Sequence, residues 1–111
     1  MQPSPYVNFP FRILWQGRIV AGVSRFSGNG SMVTLERGLT HDRAFDEWCS
    51  HADARRDISI QLFGDGGQLT TTFHFSRCLP QRYEPMRDVG GDEGVAFATL
   101  TLDVQLLNFS S

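Results

Sequence analysis

The sequence lacks lysine altogether. Its ten basic residues are all arginine, against twelve Asp and Glu, which gives a formal net charge of -2. This balance argues against general nucleic-acid binding, because that function needs a basic surface to displace the counterions of phosphates. A phosphate-cradling loop also usually carries a lysine between a strand and a helix. The glycine clusters at 28–30 and 64–67 do not have that setting, and we interpret both as turns.

Long apolar runs and a cysteine framework are missing too. No window reaches the run of about 18 apolar residues that a membrane-spanning helix requires. The first eleven residues lack the basic and apolar regions of a secretory signal. We therefore expect a protein with no membrane span that is made in the cytoplasm. The two cysteines, Cys49 and Cys78, are then expected to be reduced and buried.

What is present fits one globular domain. The chain has 111 residues, of which 41% are hydrophobic, and nine Phe and two Trp can fill a sizeable core. We expect a single domain over 1–111. It begins with an extended arm at 1–8, which holds two prolines, and includes a long irregular loop at 77–94, which holds two prolines and three glycines.

Alternating apolar residues predict strands on either side of one helical segment. Tight turns at 16–17 and 65–67 predict hairpins, and the segment 95–109 is expected to be a single, unusually long strand. Hairpin connections favour antiparallel pairing. The expected fold is mainly β: about seven strands in two packed antiparallel sheets that form a barrel-like sandwich with one flanking α-helix. The clearest strand segments are 9–16, 18–26, 31–38, 57–64, 68–76 and 95–109.

The helix is predicted where the apolar period changes from two to 3.6 residues. Gly38 is expected to end the preceding strand, and Thr40 is expected to be the N-cap of a helix of three to four turns. Asp42 would then lie in the first turn, where a negative charge suits the helix dipole. The predicted apolar stripe is Ala44, Phe45, Trp48, Cys49 and Ala52.

The histidines and acids near this helix do not form a recognisable site. Adjacent helical residues do not face each other, so Asp42 cannot orient His41 through a side-chain bond. His51 and His74 do not have metal-ligand spacing to His41. His74, between two phenylalanines, is expected to be solvated or at an interface rather than to line a pocket.

The other candidate site residues also fit structural roles. Cys49 lies on the apolar stripe, which favours a buried thiol over a nucleophile. The acidic segment 88–94 lacks the spacing of an EF-hand loop, and no serine lies in a nucleophile elbow. We therefore expect no catalytic, cofactor-binding or metal-binding residue, and no enzyme activity.

The order of the motifs resembles the tail-tube protein family of contractile-tailed phages, shared with the inner tubes of extracellular contractile injection systems. The similarity begins at "NFPFRILWQGRIVAGVSRFSG". It is strongest at "VTLERGLTHDRAFDEWCS", and it continues through "RRDISIQLFGDGGQLTTTFHFSRCLPQRYEP" to the closing "DEGVAFATLTLDVQLL". It covers nearly the whole chain, and the order and spacing of the motifs carry it.

The resemblance implies a structural subunit, part of a phage virion tail or an injection-system particle. Such subunits assemble as hexameric rings that stack into a tube inside a contractile sheath. The expected partners are therefore further copies of the chain, the sheath protein and the baseplate or tube-initiator proteins. The lumen would hold cargo, tape-measure protein or DNA without sequence-specific binding.

Two alternatives remain open at this stage. One is a tube-initiator or baseplate protein of the same fold. The other is a small ligand-binding β-barrel, with a cavity lined by Trp15, Phe73, Phe75 and Phe97.

The sequence departs from the family in one place. The family usually has a long segment between the first hairpin and the strand that precedes the helix. Here only 27–30 stands in its place. Either the connection is short, or a longer loop is missing between two joined pieces. The abruptness of the loss favours the missing loop, and residues 85–94 are expected to form an inter-subunit loop.

Overall fold

The computed structural model describes residues 5–86 and 94–110. Within these residues, seven strands and one helix follow in the order that the sequence predicts, with the helix between the third and fourth strands. The elements are β1 (Phe11–Trp15), β2 (Arg18–Asn29), β3 (Met32–Thr40), α1 (Arg43–Ser50), β4 (Arg56–Phe63), β5 (Leu69–Met86), β6 (Val95–Asp103) and β7 (Leu106–Ser110).

Six of the strands close into an antiparallel barrel. The sheet order is β4-β1-β2-β3-β6-β5-β7, and an additional pairing of β4 with β5 joins the ends of the six-stranded part. Both β2 and β5 are long enough to take part in both sheets of the barrel. The second half of β2, β3, β6 and the second half of β5 form one sheet, and the remaining strand segments form the other. The predicted fold class, two antiparallel sheets in a barrel-like arrangement with one helix, is confirmed.

A single cluster of apolar side chains fills the barrel. Ile13 and Trp15 of β1 point inward, as the alternation predicts, and so do Ile58 and Ile60 of β4. Phe75 and Phe97 are 1% and 0% exposed, and Phe73 packs against the cluster. Aromatic side chains that could have lined a ligand cavity therefore fill the core instead.

The helix is shorter than predicted and begins later. It has eight residues and its N-cap is Asp42, whose carboxylate accepts a hydrogen bond from the Phe45 N–H at 2.9 Å. Thr40 is still part of β3, and its hydroxyl donates to the Val20 carbonyl at 2.6 Å. Gly38 also lies within β3, so the predicted strand break there is wrong.

The apolar side of the helix is buried as predicted at its centre. Phe45 and Trp48 are 0% and 3% exposed and pack on Trp15, with ring centroids 5.8 and 6.1 Å away. The flanking alanines of the predicted stripe behave differently. Ala44 is exposed, and Ala52 is exposed beyond the end of the helix.

Much of the predicted 77–94 loop is strand. Residues 77–86 continue β5, where Leu79–Met86 pair with β6, and 87–93 lie outside the described residues. Prolines at 80 and 85 suggest a loop from sequence, but an edge strand tolerates residues without an N–H. The expectation of an inter-subunit loop at 85–94 is thereby wrong for Pro85 and Met86, which are paired strand residues.

The predicted last strand is two strands. β6 ends at Asp103 and β7 begins at Leu106, and both lie along the same side of β5. The chain shifts between them, because the Val104 N–H donates to the Ser31 carbonyl and the Gln105 N–H donates to the Ser76 carbonyl.

The connection between β2 and β3 is continuous and short. Residues 27–29 are strand rather than turn, and Asn29 pairs directly with Met32 around Gly30–Ser31. Such a two-residue hairpin leaves no room for a missing loop, so that interpretation is wrong. The long segment that the resemblance led us to expect here is absent between Asn29 and Met32.

The described part of the N-terminal arm folds back on the barrel. Residues 5–8 form a turn, closed by the Phe9 N–H and the Tyr6 carbonyl, so this part is not extended. Tyr6 is 4% exposed, and its hydroxyl donates to the Val20 carbonyl and accepts from the His41 N–H. Burial raises the pKa of Tyr6. The arm is thus attached where β3 meets the helix.

Candidate subunit interfaces

The residues that the sequence singles out near the helix are not brought together as a site. The backbone N–H of His41 bonds to Tyr6, while its side chain is exposed. His51 lies after the helix, and His74 is on β5, where it bonds to Ser59 at 2.9 Å. Among residues 5–86 and 94–110, no group of three His, Cys, Asp or Glu side chains could hold a metal ion.

Asp42 has a structural partner in Arg18. The Arg18 guanidinium donates to the Asp42 carboxylate at 3.0 Å, in addition to the cap bond from Phe45. Partial burial works to raise the pKa of Asp42, but the hydrogen bonds from Arg18 and Phe45 outweigh it and hold the pKa below its ordinary value of 3.8. The carboxylate therefore stabilises the start of the helix.

Replacing Asp42 by alanine is expected to cost about 1 kcal/mol of stability at neutral pH, the usual value of an N-cap. The folded-state pKa is the lower one, so this contribution is present above about pH 3.8 and disappears as the pH falls through the folded value. Urea unfolding of Asp42→Ala and the wild type from about pH 7 to about pH 2.5 measures it. Asp65→Ala is the control, because Asp65 is exposed in a turn and makes no hydrogen bond or ion pair with any described residue. An equal loss in both variants would contradict the capping role.

Both cysteines are buried free thiols, as predicted. Burial raises the pKa of Cys49 far above its ordinary value and that of Cys78 to about 12. Neither forms a thiolate near neutral pH, so neither has the ionisation that a cysteine nucleophile needs.

A sheet face made of polar side chains covers one side of the barrel. Residues opposite each other on neighbouring antiparallel strands point to the same face, and the pairing register builds two rows across four strands. The first row is Arg25, Glu36, Thr99 and Glu84, and the second is Ser27, Thr34, Thr101 and Arg82. We call these eight residues the polar sheet face.

The charges on the polar sheet face balance. Arg82 and Glu84 are 2.6 Å apart, and Arg25 and Glu36 are 3.8 Å apart. The Arg82 and Thr99 hydrogen bonds lower the pKa of Glu84, although it is exposed. Two arginines, two glutamates and four hydroxyls give a hydrophilic surface without net charge. The two rows follow from the pairing register of four strands, which alternation within one strand does not predict.

The same sheet has two unpaired edges. Within the described residues, β1 pairs with β2 only up to Val23, so residues 24–29 have no strand on that side. At the opposite edge, β4 pairs with β5 no further than Cys78, so residues 79–86 are paired only with β6. Unpaired edges are ready templates for strand pairing with another chain. The sequence gives no sign of them, since they depend on where the partner strands stop.

No helix in the described part of the chain has the length and apolar character that crossing a bilayer requires.

Comparison with solved structures shows the same fold. Hcp1 from Flavobacterium johnsoniae is similar with a TM-score of 0.69 and 13% identity, over 92% of this chain and 95% of Hcp1. A chain of the sheath–tube complex of an extracellular contractile injection system, in the extended state, matches with a TM-score of 0.56 and 17% identity. That match covers 96% of this chain and 92% of the other.

A chain of the baseplate of the anti-feeding prophage also matches, with a TM-score of 0.53 and 17% identity, over 99% of this chain and 98% of the other. No curated protein sequence matches the chain. The model of the T4-like virus tail tube protein gp19 family matches residues 29–108, well over half of the chain. The chain therefore belongs to the family of the T4-like virus tail tube protein gp19.

Proposed function

We propose that the chain assembles into six-membered rings that stack into the inner tube of a contractile phage tail or injection system. The observation that carries this proposal is the pair of unpaired edges on opposite sides of one four-stranded sheet. Residues 24–29 of one copy would pair with residues 79–86 of the next, so that the sheets continue from copy to copy around a lumen.

Unlike edges produce a ring rather than a symmetric dimer. An interface between two different surfaces of the same chain is heterologous, and it generates a closed ring if the rotation closes. Pro80 and Pro85 fit the edge position of β5, and they restrict main-chain pairing to the short stretch between them. Side chains near the edges must then supply part of the ring contact.

The polar sheet face is the surface that this ring would turn toward its lumen. The eight residues carry no net charge, so the phosphates of DNA would not bind to them. They include no large apolar side chain, so cargo or tape-measure protein would not bind through apolar contact. Its hydroxyls and internal ion pairs keep it hydrated. The role is thus a conduit, without catalysis.

The outer surface would meet other components of the particle. The similar structures include chains from a sheath–tube complex, a baseplate and a tube-terminating cap. A sheath protein and baseplate proteins are accordingly the proposed partners, and assembly is proposed to begin in the cytoplasm. A tube-initiator or baseplate protein of the same fold is the alternative, because one of the similar chains belongs to a baseplate.

Negative-stain microscopy and native mass spectrometry of the purified chain test the proposal. We expect rings of six times the 12.5 kDa chain, stacked into tubes as the concentration rises. Single rings that never stack would favour the initiator. A monodisperse monomer at every concentration would contradict the ring.

Hydrogen exchange tests the edges directly. We expect amides in 24–29 and 79–86 to gain protection when dilute monomer assembles into rings, because new strand pairing shields them. The central strand β3 is the internal control, since both its sides are already paired. Unchanged exchange at both edges in the assembled ring would show that the ring contact lies elsewhere.

A further inference from the structure

Behind the polar sheet face, another row of side chains crosses the same four strands. The pairing register places Phe26, Leu35, Leu100 and Tyr83 opposite each other in turn. Because side chains alternate along each strand, this row lies on the face that covers the barrel interior. Leu35 and Leu100, on the two central strands, are 0% exposed, whereas the two aromatic residues on the unpaired edges are only half-buried. Each edge of the sheet therefore ends in an aromatic side chain that is partly open to solvent.

The edge of β2 leaves Phe26 at an opening of the barrel. The strand β1 begins at Phe11, opposite Val23, so no described strand covers residues 24–29 on that side. The centroid of the Phe26 side chain lies 5.6 Å from that of Phe11 and 5.0 Å from that of Phe73. All three phenylalanines are half-buried and pack against the core cluster. They form an aromatic patch on the interior side of the unpaired β2 edge.

The edge of β5 has a groove in the corresponding place. A groove of about 430 Å³ separates the end of the helix from this edge. Residues 49–52 line it from the helix, and Pro80, Tyr83 and Pro85 line it from the strand. The Tyr83 hydroxyl donates to the Asp46 carboxylate of the helix at 2.6 Å, which fixes the orientation of the phenol. The groove thus presents a fixed aromatic side chain between two prolines.

Pairing of the two unlike edges brings the aromatic patch and this groove together. A sheet that continues from residues 79–86 of one copy to residues 24–29 of the next keeps each face on its own side, because side chains alternate between the faces of every strand. The polar sheet face then continues on one side of the joined sheet. On the other side, the interior faces of the two edges meet, so that Phe26 of one copy comes next to Tyr83 of its neighbour.

We infer that Phe26 of one copy inserts into the groove of the next copy, beside Tyr83, and anchors the contact between them. This inference rests on the proposed ring, and the occupant of the groove is a second copy of this chain. A few buried aromatic residues supply most of the energy of many protein interfaces, inside a rim of polar residues. The exposed His51 and Gln81, which also line the groove, supply such polar groups. Because prolines limit main-chain pairing at this edge, the side-chain contact adds what the strands alone do not provide.

Filling the groove tests the contact without changing the core. Ala52 is exposed and lines the groove, so Ala52→Trp places a large side chain where Phe26 of the neighbour would insert. We expect this variant to need a roughly tenfold higher protein concentration than the wild type to form rings, measured by native mass spectrometry and sedimentation. Ala54→Trp is the matched control, because Ala54 is exposed two residues further along and is not one of the groove residues. The control should form rings like the wild type.

Removing the inserted side chain gives a second measurement. Phe26→Ala should also raise the concentration needed for rings roughly tenfold or more, while urea unfolding of the dilute monomer shows that the fold is retained. Phe63→Ala is the control, because Phe63 is also half-buried but lies at the end of β4, where the Arg12 guanidinium packs 3.8 Å from its centroid. Phe63→Ala should form rings at the wild-type concentration.

A photo-cross-linker identifies the surface that receives Phe26. The photoreactive residue p-benzoylphenylalanine, in place of Phe26, should link two chains when rings are irradiated, and mass spectrometry should map the attachment to residues 49–52 or 79–86. Links confined to one chain would overturn the inference, and so would Ala52→Trp and Phe26→Ala rings that form at the wild-type concentration. Absence of rings in the wild type would instead overturn the proposed function.

Discussion

Replacing Trp48 by alanine is expected to lower the free energy of unfolding by about 3–5 kcal/mol. Trp48 is 3% exposed and packs on Trp15 and Phe45, with ring centroids about 6.1 Å from both. Truncation removes this contact area and leaves a cavity between helix and barrel. It also removes the donor to the Ala54 carbonyl, which accepts from the indole Nε1 at 2.8 Å.

Urea unfolding gives the stability change, and an unchanged denaturant slope would show that both variants unfold from equally compact states. Glu47→Ala is the control, because Glu47 is exposed on the same helix and its loss should stay within about 0.5 kcal/mol. A loss below about 1 kcal/mol for Trp48→Ala would mean that the helix is peripheral to the fold.

The second large effect is expected at Gly38. Its Cα lies against the ring of Phe97, and a methyl group there would overlap the Phe97 Cζ. Phe97 is 0% exposed and cannot move away without disturbing the core. Gly38→Ala is therefore expected to destabilise the chain by about 1–3 kcal/mol, the usual cost of overpacking.

Two further variants distinguish overlap from a general effect of losing a glycine. Gly28→Ala is the matched control on the neighbouring strand, where the nearest atom to the new methyl would be the Met32 carbonyl at 3.9 Å. Combining Gly38→Ala with Phe97→Leu should cost less than the two changes separately, with a coupling of about 0.5–3 kcal/mol. Additive effects, or an equal loss at Gly28, would show that the ring contact is not the cause.

For the helix, the local sequence pattern predicts the buried residues correctly but not the residue at which the helix begins. The period of 3.6 residues correctly places Phe45 and Trp48 on the buried side, because that spacing is a property of the chain itself. It misplaces the N-cap at Thr40, although aspartate caps a helix at least as well as threonine, and the structure uses Asp42. In the fold, the Thr40 hydroxyl bonds to Val20 on the neighbouring strand, and Asp42 has Arg18 as a partner.

For the strand β5, the local sequence pattern predicts the wrong type of structure. Pro80 and Pro85 predict a loop when each residue is considered with its sequence neighbours alone. In the structure, β6 supplies hydrogen bonds on one side, and the other side is an edge that requires no donor. Likewise, nothing in the residues 95–109 marks the change from β6 to β7, which follows from bonds to Ser31 and Ser76 on other strands.

The sequence by itself determined the mainly β class, the helix between β3 and β4 and the buried aromatic residues of that helix. These follow from periodicity, which acts over a few residues. Only the tertiary structure decided that the barrel closes and where β2 and β5 lose their partner strands. Those features depend on the register and length of strands distant in sequence, and no local pattern fixes where a partner strand stops.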